Sequence, residues 1–164
     1  MTTGVITKQQ LLENMRASGR EFVDAARQVP ADRWPEGRYE EGWTAKDILA
    51  HVASIEWTYP KLLLLAAQPP TEDRDAEKRF KGGIGDYNQR HVEKRRDNSV
   101  DELLEEFERN RSATIAAVED ANDALLGERV RSAGGVEGTA AEVLNYLTVV
   151  HVRDHLDDLK GEKP

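Results

Sequence analysis

The sequence predicts an all-α protein, a bundle of four main helices with long crossover connections and one extra short helix. Four segments begin with Ser or Thr followed three residues later by Gln, Asp or Glu, which is the pattern of a capping box. Apolar residues then recur at helical spacing. No convincing run of alternating β-branched residues occurs, which also favours a helical bundle. We expect residues 1–164 to form one domain, since a chain of this length can bury a substantial core.

The first two helices follow from the capping patterns at Thr7 and Thr44. The first pattern predicts an amphipathic helix over residues 8–28, and the Pro- and Gly-containing segment 30–42 then predicts an ordered loop. The helix that begins after Thr44 carries His51 on its apolar stripe, so this imidazole should face the interior. Pro60 should kink that helix or end its first half, because proline lacks the backbone donor.

The middle of the chain predicts one short and one long helix. Segment 69–85 is rich in Pro, Gly and charged residues and reads as a long connection, which in a compact domain is often functional or mobile. A short helix over residues 86–96 follows. Ser99 then opens a long helix through Val118, and Arg111 falls on its apolar stripe.

The last predicted helix carries the pattern with the most chemical information. It begins after Thr139 and runs to about residue 160, where Gly161 is a natural stop. Its middle, residues 143–152, is apolar nearly all round, so we expect it to be the most buried element. His151 and His155 lie one turn apart on its inward side, where both imidazoles can bind one ion.

Together with His51, this pair predicts a metal site. Three imidazoles on two inward helical faces, with an open position for water, have the usual form of a catalytic zinc-type site. Nitrogen ligands favour a divalent Zn or Ni ion over Fe or Mn. The chain has no cysteine, which excludes thiolate ligands and a cysteine nucleophile. The alternative for each histidine is a hydrogen-bonded core residue, and we interpret the fourth, His91, as a surface residue.

Other side chains are candidates for the lining of a substrate pocket. Arg111 could pair with a carboxylate of a thiol cofactor or substrate, because a guanidinium binds carboxylates in a bidentate fork. A side chain that extends from the bundle edge into solvent is its alternative. Asp154 and Asp158 could orient the metal-binding imidazoles, or they could be solvated. Three aromatic residues could line the pocket or belong to the core: Tyr59, Tyr87 and Tyr146.

Charge and hydropathy argue against two classes of partner. A formal net charge of −8 repels phosphate backbones, so we expect no nucleic-acid binding, and the basic cluster at 91–96 reads as a solvated helix end. The longest apolar run, residues 62–67, is too short to cross a bilayer, and the N-terminus lacks the features of a signal peptide. We therefore expect no membrane association and a cytoplasmic location.

Two motifs resemble a known family. Residues 43–51, WTAKDILAH, followed about a hundred residues later by residues 151–155, HVRDH, are similar to the DinB/YfiT-like superfamily of four-helix bundles. That superfamily includes metal-dependent thiol transferases and the mycothiol-dependent maleylpyruvate isomerases. The resemblance implies that His51, His151 and His155 are the metal triad, although the isomerases typically have a glutamate where His151 stands. It also implies a homodimer.

The resemblance supports two functions. The first is a metal-dependent enzyme that activates a low-molecular-weight thiol or water for transfer to, or hydrolysis of, a small electrophilic substrate. The second follows from the helix start at Asp86, after a Gly-rich loop, which with Glu93, Arg95 and Arg96 resembles the ClbS/DfsB branch. That branch implies a toxin-resistance protein that binds or sequesters a small molecule without metal. A dimerising bundle with purely structural histidines is a third reading.

Overall fold

The four predicted capping boxes all form. The computed structural model describes residues 6–37, 42–69, 74–76 and 83–160. In each box the side chain of the capping residue accepts a bond from the backbone N–H three residues on, and the side chain at that position accepts from the N–H of the cap. The capping residues are Thr7, Thr44, Ser99 and Thr139. Each helix start predicted from a capping pattern is therefore confirmed, as expected for a signal that needs only two side chains close in the sequence.

The elements follow one another as a helical bundle with one small hairpin. In chain order they are α1 (Lys8–Arg27), a 3₁₀ turn (Ala31–Arg33), α2 (Ala45–Ile55), a second 3₁₀ turn (Glu56–Thr58), α3 (Pro60–Ala66), α4 (Gly83–Lys94), α5 (Val100–Asp120), α6 (Asp123–Leu126), β1 (Arg129–Arg131), β2 (Glu137–Thr139), α7 (Ala140–Asn145), a π-helical segment (Tyr146–Val150) and α8 (His151–Lys160). Gly161, the predicted stop of the last helix, lies outside the described residues.

Pro60 ends the first half of the second predicted helix, as the sequence indicated. Helix α2 stops at Ile55, the 3₁₀ turn follows, and Pro60 is the first residue of α3, where its missing N–H costs no helical bond. The apolar stripe nevertheless continues across the break, because Tyr59 and Leu62 are buried like the residues of α2 before them.

The helical bundle also contains one small hairpin that the sequence did not indicate. Strands β1 and β2 pair antiparallel, with Val130 opposite Gly138. Each strand has three residues, too few for an alternating pattern to be visible in the sequence. The hairpin is held by tertiary contacts, since the Arg131 N–H donates to the carbonyl of Arg74 at 3.1 Å. These contacts link it to residues 74–76, far away in the sequence.

The core consists of two apolar clusters stacked along the bundle. One contains Met15, Val118 and Leu144, and the other contains Phe22 and Phe107, whose rings are 4.9 Å apart. Along α1, α5 and the C-terminal helix, the two clusters are separated by buried polar residues. These polar residues, with the glutamate that joins them, are Ser18, Glu56, Arg111 and Thr148.

The C-terminal helix is less buried than its composition predicts. Tyr146 and Val150 are each 42% exposed, so one side of the 143–152 segment faces outward. The expectation that this apolar segment is the most buried element is therefore wrong. Exposed large apolar residues of this kind often mark a binding surface.

Among the helices of the described ranges, none combines the length and the apolar character that a membrane span requires.

Candidate metal centre and adjoining cavity

The three predicted ligands come together inside the bundle. His51 lies in α2 and is 5% exposed, whereas His151 and His155 lie on α8 and are half-buried. One nitrogen from each ring can be chosen so that the three atoms all lie within 4.8 Å of one another. Within the part of the chain that the structure describes, these three residues are the group of ligand-type side chains close enough to hold an ion.

The two histidines of α8 have the spacing of ligands to one ion. Their Nε2 atoms are 3.2 Å apart. Two nitrogens bound at about 2.0–2.1 Å in a tetrahedral site would be about 3.3–3.4 Å apart. Without an ion, one Nε2 must carry a proton and donate it to the other, because two facing lone pairs repel. The same geometry therefore suits a shared proton or a shared metal.

His51 is the ligand candidate with an unfulfilled bonding capacity. Its Nδ1 is buried and has no hydrogen-bond partner among the described residues. A buried polar atom left unpaired costs about 1–3 kcal/mol, so such atoms usually serve a purpose. Burial, reinforced by the imidazoles of His155 and His151, holds the pKa of His51 well below its ordinary value. The ring is therefore neutral near pH 7, which is the form that binds a metal.

Asp158 orients one of the imidazoles. Its Oδ2 lies 3.2 Å from Nδ1 of His155, and the carboxylate is largely buried. A proton on Nδ1 donated to this carboxylate leaves Nε2 of His155 as the free nitrogen on the side of His151. Carboxylates commonly play this part behind metal-binding histidines. Asp154, the other acidic candidate, is exposed.

The π-helical segment ends where the histidine pair of α8 begins. The N–H of His151 donates to the carbonyl of Tyr146, five residues back, instead of four. Within this segment the carbonyl of Thr148 accepts bonds from Ser18 Oγ at 2.7 Å and from Arg111 Nη2 at 3.1 Å. Wider turns of this type are frequent at functional sites, since they change the direction in which the following side chains project.

A cavity of about 810 Å³ opens beside the histidines. His51 and His151 line it, together with apolar side chains from α3, α4, the hairpin and the C-terminal helix. This volume lies in the range of pockets that take small organic molecules. The apolar part of its wall includes Ile55, Leu62, Leu65, Ile84, Val136 and Leu147.

The three tyrosines predicted to line a pocket all line this cavity: Tyr59, Tyr87 and Tyr146. Burial raises the pKa of the Tyr59 phenol, and the Glu56 carboxylate raises it further, so the hydroxyl stays protonated. Burial likewise raises the pKa of Tyr87. Their part in substrate binding remains a prediction.

Arg111 is not among the residues that line the cavity. Its Nε and Nη2 donate to the two oxygens of Glu56 at 3.0 and 3.1 Å. Nη1 donates to the Met15 carbonyl and Ser18 Oγ, and Nη2 also donates to the Thr148 carbonyl. A guanidinium has five N–H donors, and these five bonds use all of them. In this conformation Arg111 has no donor left for a ligand, and its carboxylate partner is the chain's own Glu56.

Several residues that line the cavity were not predicted from the sequence. Trp57 lies in the 3₁₀ turn between α2 and α3, and Lys61 lies in the first turn of α3. The direction of both side chains depends on this 3₁₀ turn, which no local sequence signal predicted. The turn of the hairpin contributes Ser132, Ala133 and Gly134. The run of glycines near residue 134 was a turn signal, but nothing in it indicated a contact with α3. His91, which the sequence analysis interpreted as a surface residue, is instead half-buried, and its ring stacks on Tyr87 with the centroids 4.1 Å apart.

Comparisons with known proteins agree with this geometry. The family model described as the DinB superfamily matches residues 12–159. The chain is similar in structure to the mycothiol-dependent maleylpyruvate isomerase, at 19% identity and a TM-score of 0.74, over 94% of this chain and 61% of that one. It therefore spans less than two thirds of the length of that isomerase. No curated protein matches.

A second similar structure is YfiT from Bacillus subtilis, described as a probable metal-dependent hydrolase with an unusual four-helix bundle topology. The identity is 13% and the TM-score 0.71, over 98% of this chain and 89% of that one. At these identities the likeness shows the fold alone. The predicted bundle and the resemblance inferred from the two histidine motifs are confirmed.

Proposed function

This chain belongs to the DinB superfamily, and we propose that it is a metal-dependent enzyme that activates a low-molecular-weight thiol or water for attack on a small electrophile. His51, His151 and His155 would hold one divalent ion, Zn or Ni by the nature of the ligands. The ion, when bound, lowers the pKa of a thiol or water in its open position. The solved relatives are an isomerase that depends on mycothiol and a probable metal-dependent hydrolase, which makes both nucleophiles reasonable.

One observation carries the proposal: three imidazoles converge beside a cavity, and the most buried of them has a nitrogen without a partner among the described residues. A cluster of core histidines with a structural purpose would be expected to satisfy its buried nitrogens with hydrogen bonds. An ion can satisfy several imidazole lone pairs at once. The cavity then gives the substrate direct access to His51 and His151.

The other residues have supporting tasks. Asp158 would keep the proton of His155 on Nδ1, so that Nε2 faces the ion. Tyr59 stays protonated within the cavity wall and so offers a hydroxyl without a charge. The apolar wall would exclude bulk water from the substrate, which strengthens electrostatic interactions there.

Metal content of single-histidine variants tests the proposal. Purified protein is stripped with a chelator, reloaded with Zn²⁺ or Ni²⁺, and measured by elemental analysis. We expect one ion per chain in the wild type and a loss of at least tenfold in affinity in His51→Ala, His151→Ala and His155→Ala. His91→Ala is the matched control, since it removes the remaining histidine of the chain. Retention of stoichiometric metal by all three triad variants would rule the proposal out.

The choice of nucleophile needs an activity assay with the reloaded protein. A model electrophile such as 1-chloro-2,4-dinitrobenzene is offered with and without a panel of thiols. Thiol transfer predicts release of chloride that requires both thiol and metal, whereas hydrolysis of an ester substrate predicts turnover with metal alone. Turnover that persists at the same rate after chelation would exclude both versions.

The cavity also favours a second candidate, a protein that binds and sequesters a small molecule without metal. Its wall is mainly apolar and its volume suits a drug-sized ligand, so binding needs no ion. This candidate predicts that the metal-free protein and His51→Ala bind an apolar ligand as tightly as the loaded wild type and release it unchanged. Metal-dependent consumption of the ligand would exclude it.

A further inference from the structure

The charges around the cavity differ from those of the chain as a whole. The sequence has 31 acidic and 23 basic residues. Among the described residues that line the cavity there are two cationic side chains, Lys61 and Arg90, and no Asp or Glu. An acidic chain with a basic cavity attracts anions to one place while repelling them elsewhere.

Lys61 is held at the cavity but has no carboxylate partner among the described residues. Its Nζ lies 3.4 Å from the centroid of the Trp57 ring, a cation–π contact. Trp57 itself is 56% exposed and lines the cavity, so this pair stands at the opening. The aromatic face orients the ammonium group and leaves its N–H donors available to a ligand.

Arg90 is the second cation and is exposed. It makes no ion pair with a described residue, in contrast to Arg95, which donates two bonds to Glu106. Arg90 lies near enough to Tyr87 to oppose the upward shift that burial causes in the pKa of that phenol. Since Tyr87 lines the cavity, the guanidinium is close to the wall.

The opening is also apolar. Trp57, Leu64 and Tyr146 are large hydrophobic residues that remain exposed, and all three line the cavity. Apolar side chains cost free energy when left in water, so a ligand that covers them gains affinity. A ligand that fits these surroundings has an apolar body and an acidic group.

We propose that the cavity selects an organic anion: an apolar body lies against the exposed ring of Trp57 and the inner wall, and a carboxylate, sulfonate or phosphate group pairs with Lys61 and Arg90. The inference deepens the proposed function, on which it rests, because it names the class of electrophile or thiol that reaches the histidines. Arg90 can form a bidentate pair with such a group, and Lys61 acts as a point charge.

Two fluorescent probes with the same aromatic skeleton test the inference. 1-Anilinonaphthalene-8-sulfonate carries a negative charge, and N-phenyl-1-naphthylamine does not. Gly134 lines the cavity, and a Cβ placed there meets no atom within 4 Å, so Gly134→Phe adds a ring at the cavity lining without a clash at the Cβ. Only the part of each probe signal that this variant abolishes is counted. If it abolishes none, the cavity binds neither probe and the inference falls.

We expect the double variant Lys61→Gln/Arg90→Gln to weaken sulfonate binding about tenfold, since two partly solvated charge contacts are lost, and to leave binding of the neutral probe unchanged. The control is Arg20→Gln/Arg109→Gln. It also moves the formal net charge from −8 to −10 by removing two cations, but both of these are exposed and lie outside the cavity lining. Lys61→Arg/Arg90→Lys should restore the preference.

Three results would overturn the inference: equal loss of sulfonate binding in both Gln double variants, equal loss of both probes in Lys61→Gln/Arg90→Gln, or no loss at all. Metal content is measured in the same samples. Lys61→Gln/Arg90→Gln should still bind one ion, so failure of the anion inference leaves the metal site intact. Conversely, if all three triad variants keep one ion and also keep the sulfonate preference, the metal proposal alone is contradicted.

Discussion

The molecule contains two buried polar clusters that differ in how completely they are satisfied. The first is the arginine layer, formed by Arg111, Glu56, Ser18 and the carbonyls of Met15 and Thr148, where all five guanidinium donors have acceptors. The second is the histidine triad, where Nδ1 of His51 has no partner among the described residues. The layer faces only protein, and the triad adjoins a cavity.

The difference indicates which cluster serves stability and which serves chemistry. A saturated guanidinium has no donor left for a ligand. From α5, between the two apolar clusters, it bonds to α1, to the 3₁₀ turn after α2 and to the π-helical segment before α8. A Cβ on Gly19 would come within 3.3 Å of Arg111 Nη1, so the layer is also closely packed. An unsatisfied imidazole beside a cavity has free bonding capacity, which is what an active site requires.

The largest expected effect is that of Arg111→Met. The substitution leaves the Glu56 carboxylate, which is 0% exposed, buried without its counter-charge. Removal of one partner of such a pair costs about 3–5 kcal/mol. Urea denaturation of the metal-free protein should show this loss in the free energy of unfolding.

Two further variants sharpen that measurement. Glu56→Gln added to Arg111→Met removes the stranded charge and should recover part of the stability. Arg16→Met breaks an ion pair with Glu119 in which both side chains are exposed, and should cost no more than about 1 kcal/mol. If Arg111→Met costs no more than Arg16→Met, the arginine layer does not hold the bundle together.

The second prediction distinguishes the histidine triad from the arginine layer by how much bound metal stabilises the folded protein. An ion at 100 times its dissociation constant stabilises the folded state by about 2.7 kcal/mol. His51→Leu should lose this increment, yet change the metal-free stability little, because it removes an unsatisfied buried nitrogen. Arg111→Met should destabilise both forms. Thermal unfolding with and without Zn²⁺ measures the increment, and His91→Leu is the control; an unchanged increment in His51→Leu would contradict the comparison.

The main helices and the cluster of three histidines could be predicted because their signals are local. A capping box needs only two side chains three residues apart, and the i, i+4 spacing of His151 and His155 fixes their common face on any helix. His51 could be added because Ile48 and Ile55 define the inward side of α2 around it. None of these inferences needs knowledge of the tertiary structure.

What could not be predicted depends on contacts between distant segments. The sequence placed Arg111 on an inward face but offered no means of choosing Glu56, 55 residues earlier, as the carboxylate it binds. The 3₁₀ turn that begins at Glu56 changes the direction of the side chains after α2, and the wide turn before His151 does the same for α8. Both turns determine where cavity-lining side chains lie, so the sequence predicted only part of the cavity lining.

A smaller effect is expected for Asp158→Asn, which tests whether the Asp158 carboxylate orients the imidazole of His155. The amide oxygen can still accept the proton of His155 Nδ1, but the negative charge behind the ring is lost. Substitutions of such supporting residues typically lower metal affinity about 10- to 100-fold. Competition with a chromophoric chelator measures the affinity. The matched control is Asp154→Asn on the same helix, where the side chain is exposed; equal affinities in the two variants would remove Asp158 from the site.

The smallest effect is the dependence of metal-free stability on pH. Burial depresses the pKa of His51 in the folded protein, whereas the unfolded chain titrates near 6.5. Above that pH both states are neutral and the histidine contributes no difference. As the pH falls below about 6.5, only the unfolded state takes up this proton, so the free energy of unfolding decreases by up to about 1.4 kcal/mol per pH unit.

His51→Leu isolates that contribution, because the other titrating groups are common to both proteins. Urea denaturation at pH 7.5, 6.5 and 5.5 should show a steeper loss of stability in the wild type than in the variant. Identical slopes would mean that the folded protein protonates His51 as easily as the unfolded chain does. In that case the imidazole would be solvated, and the contrast between an unsatisfied triad and a saturated arginine layer would disappear.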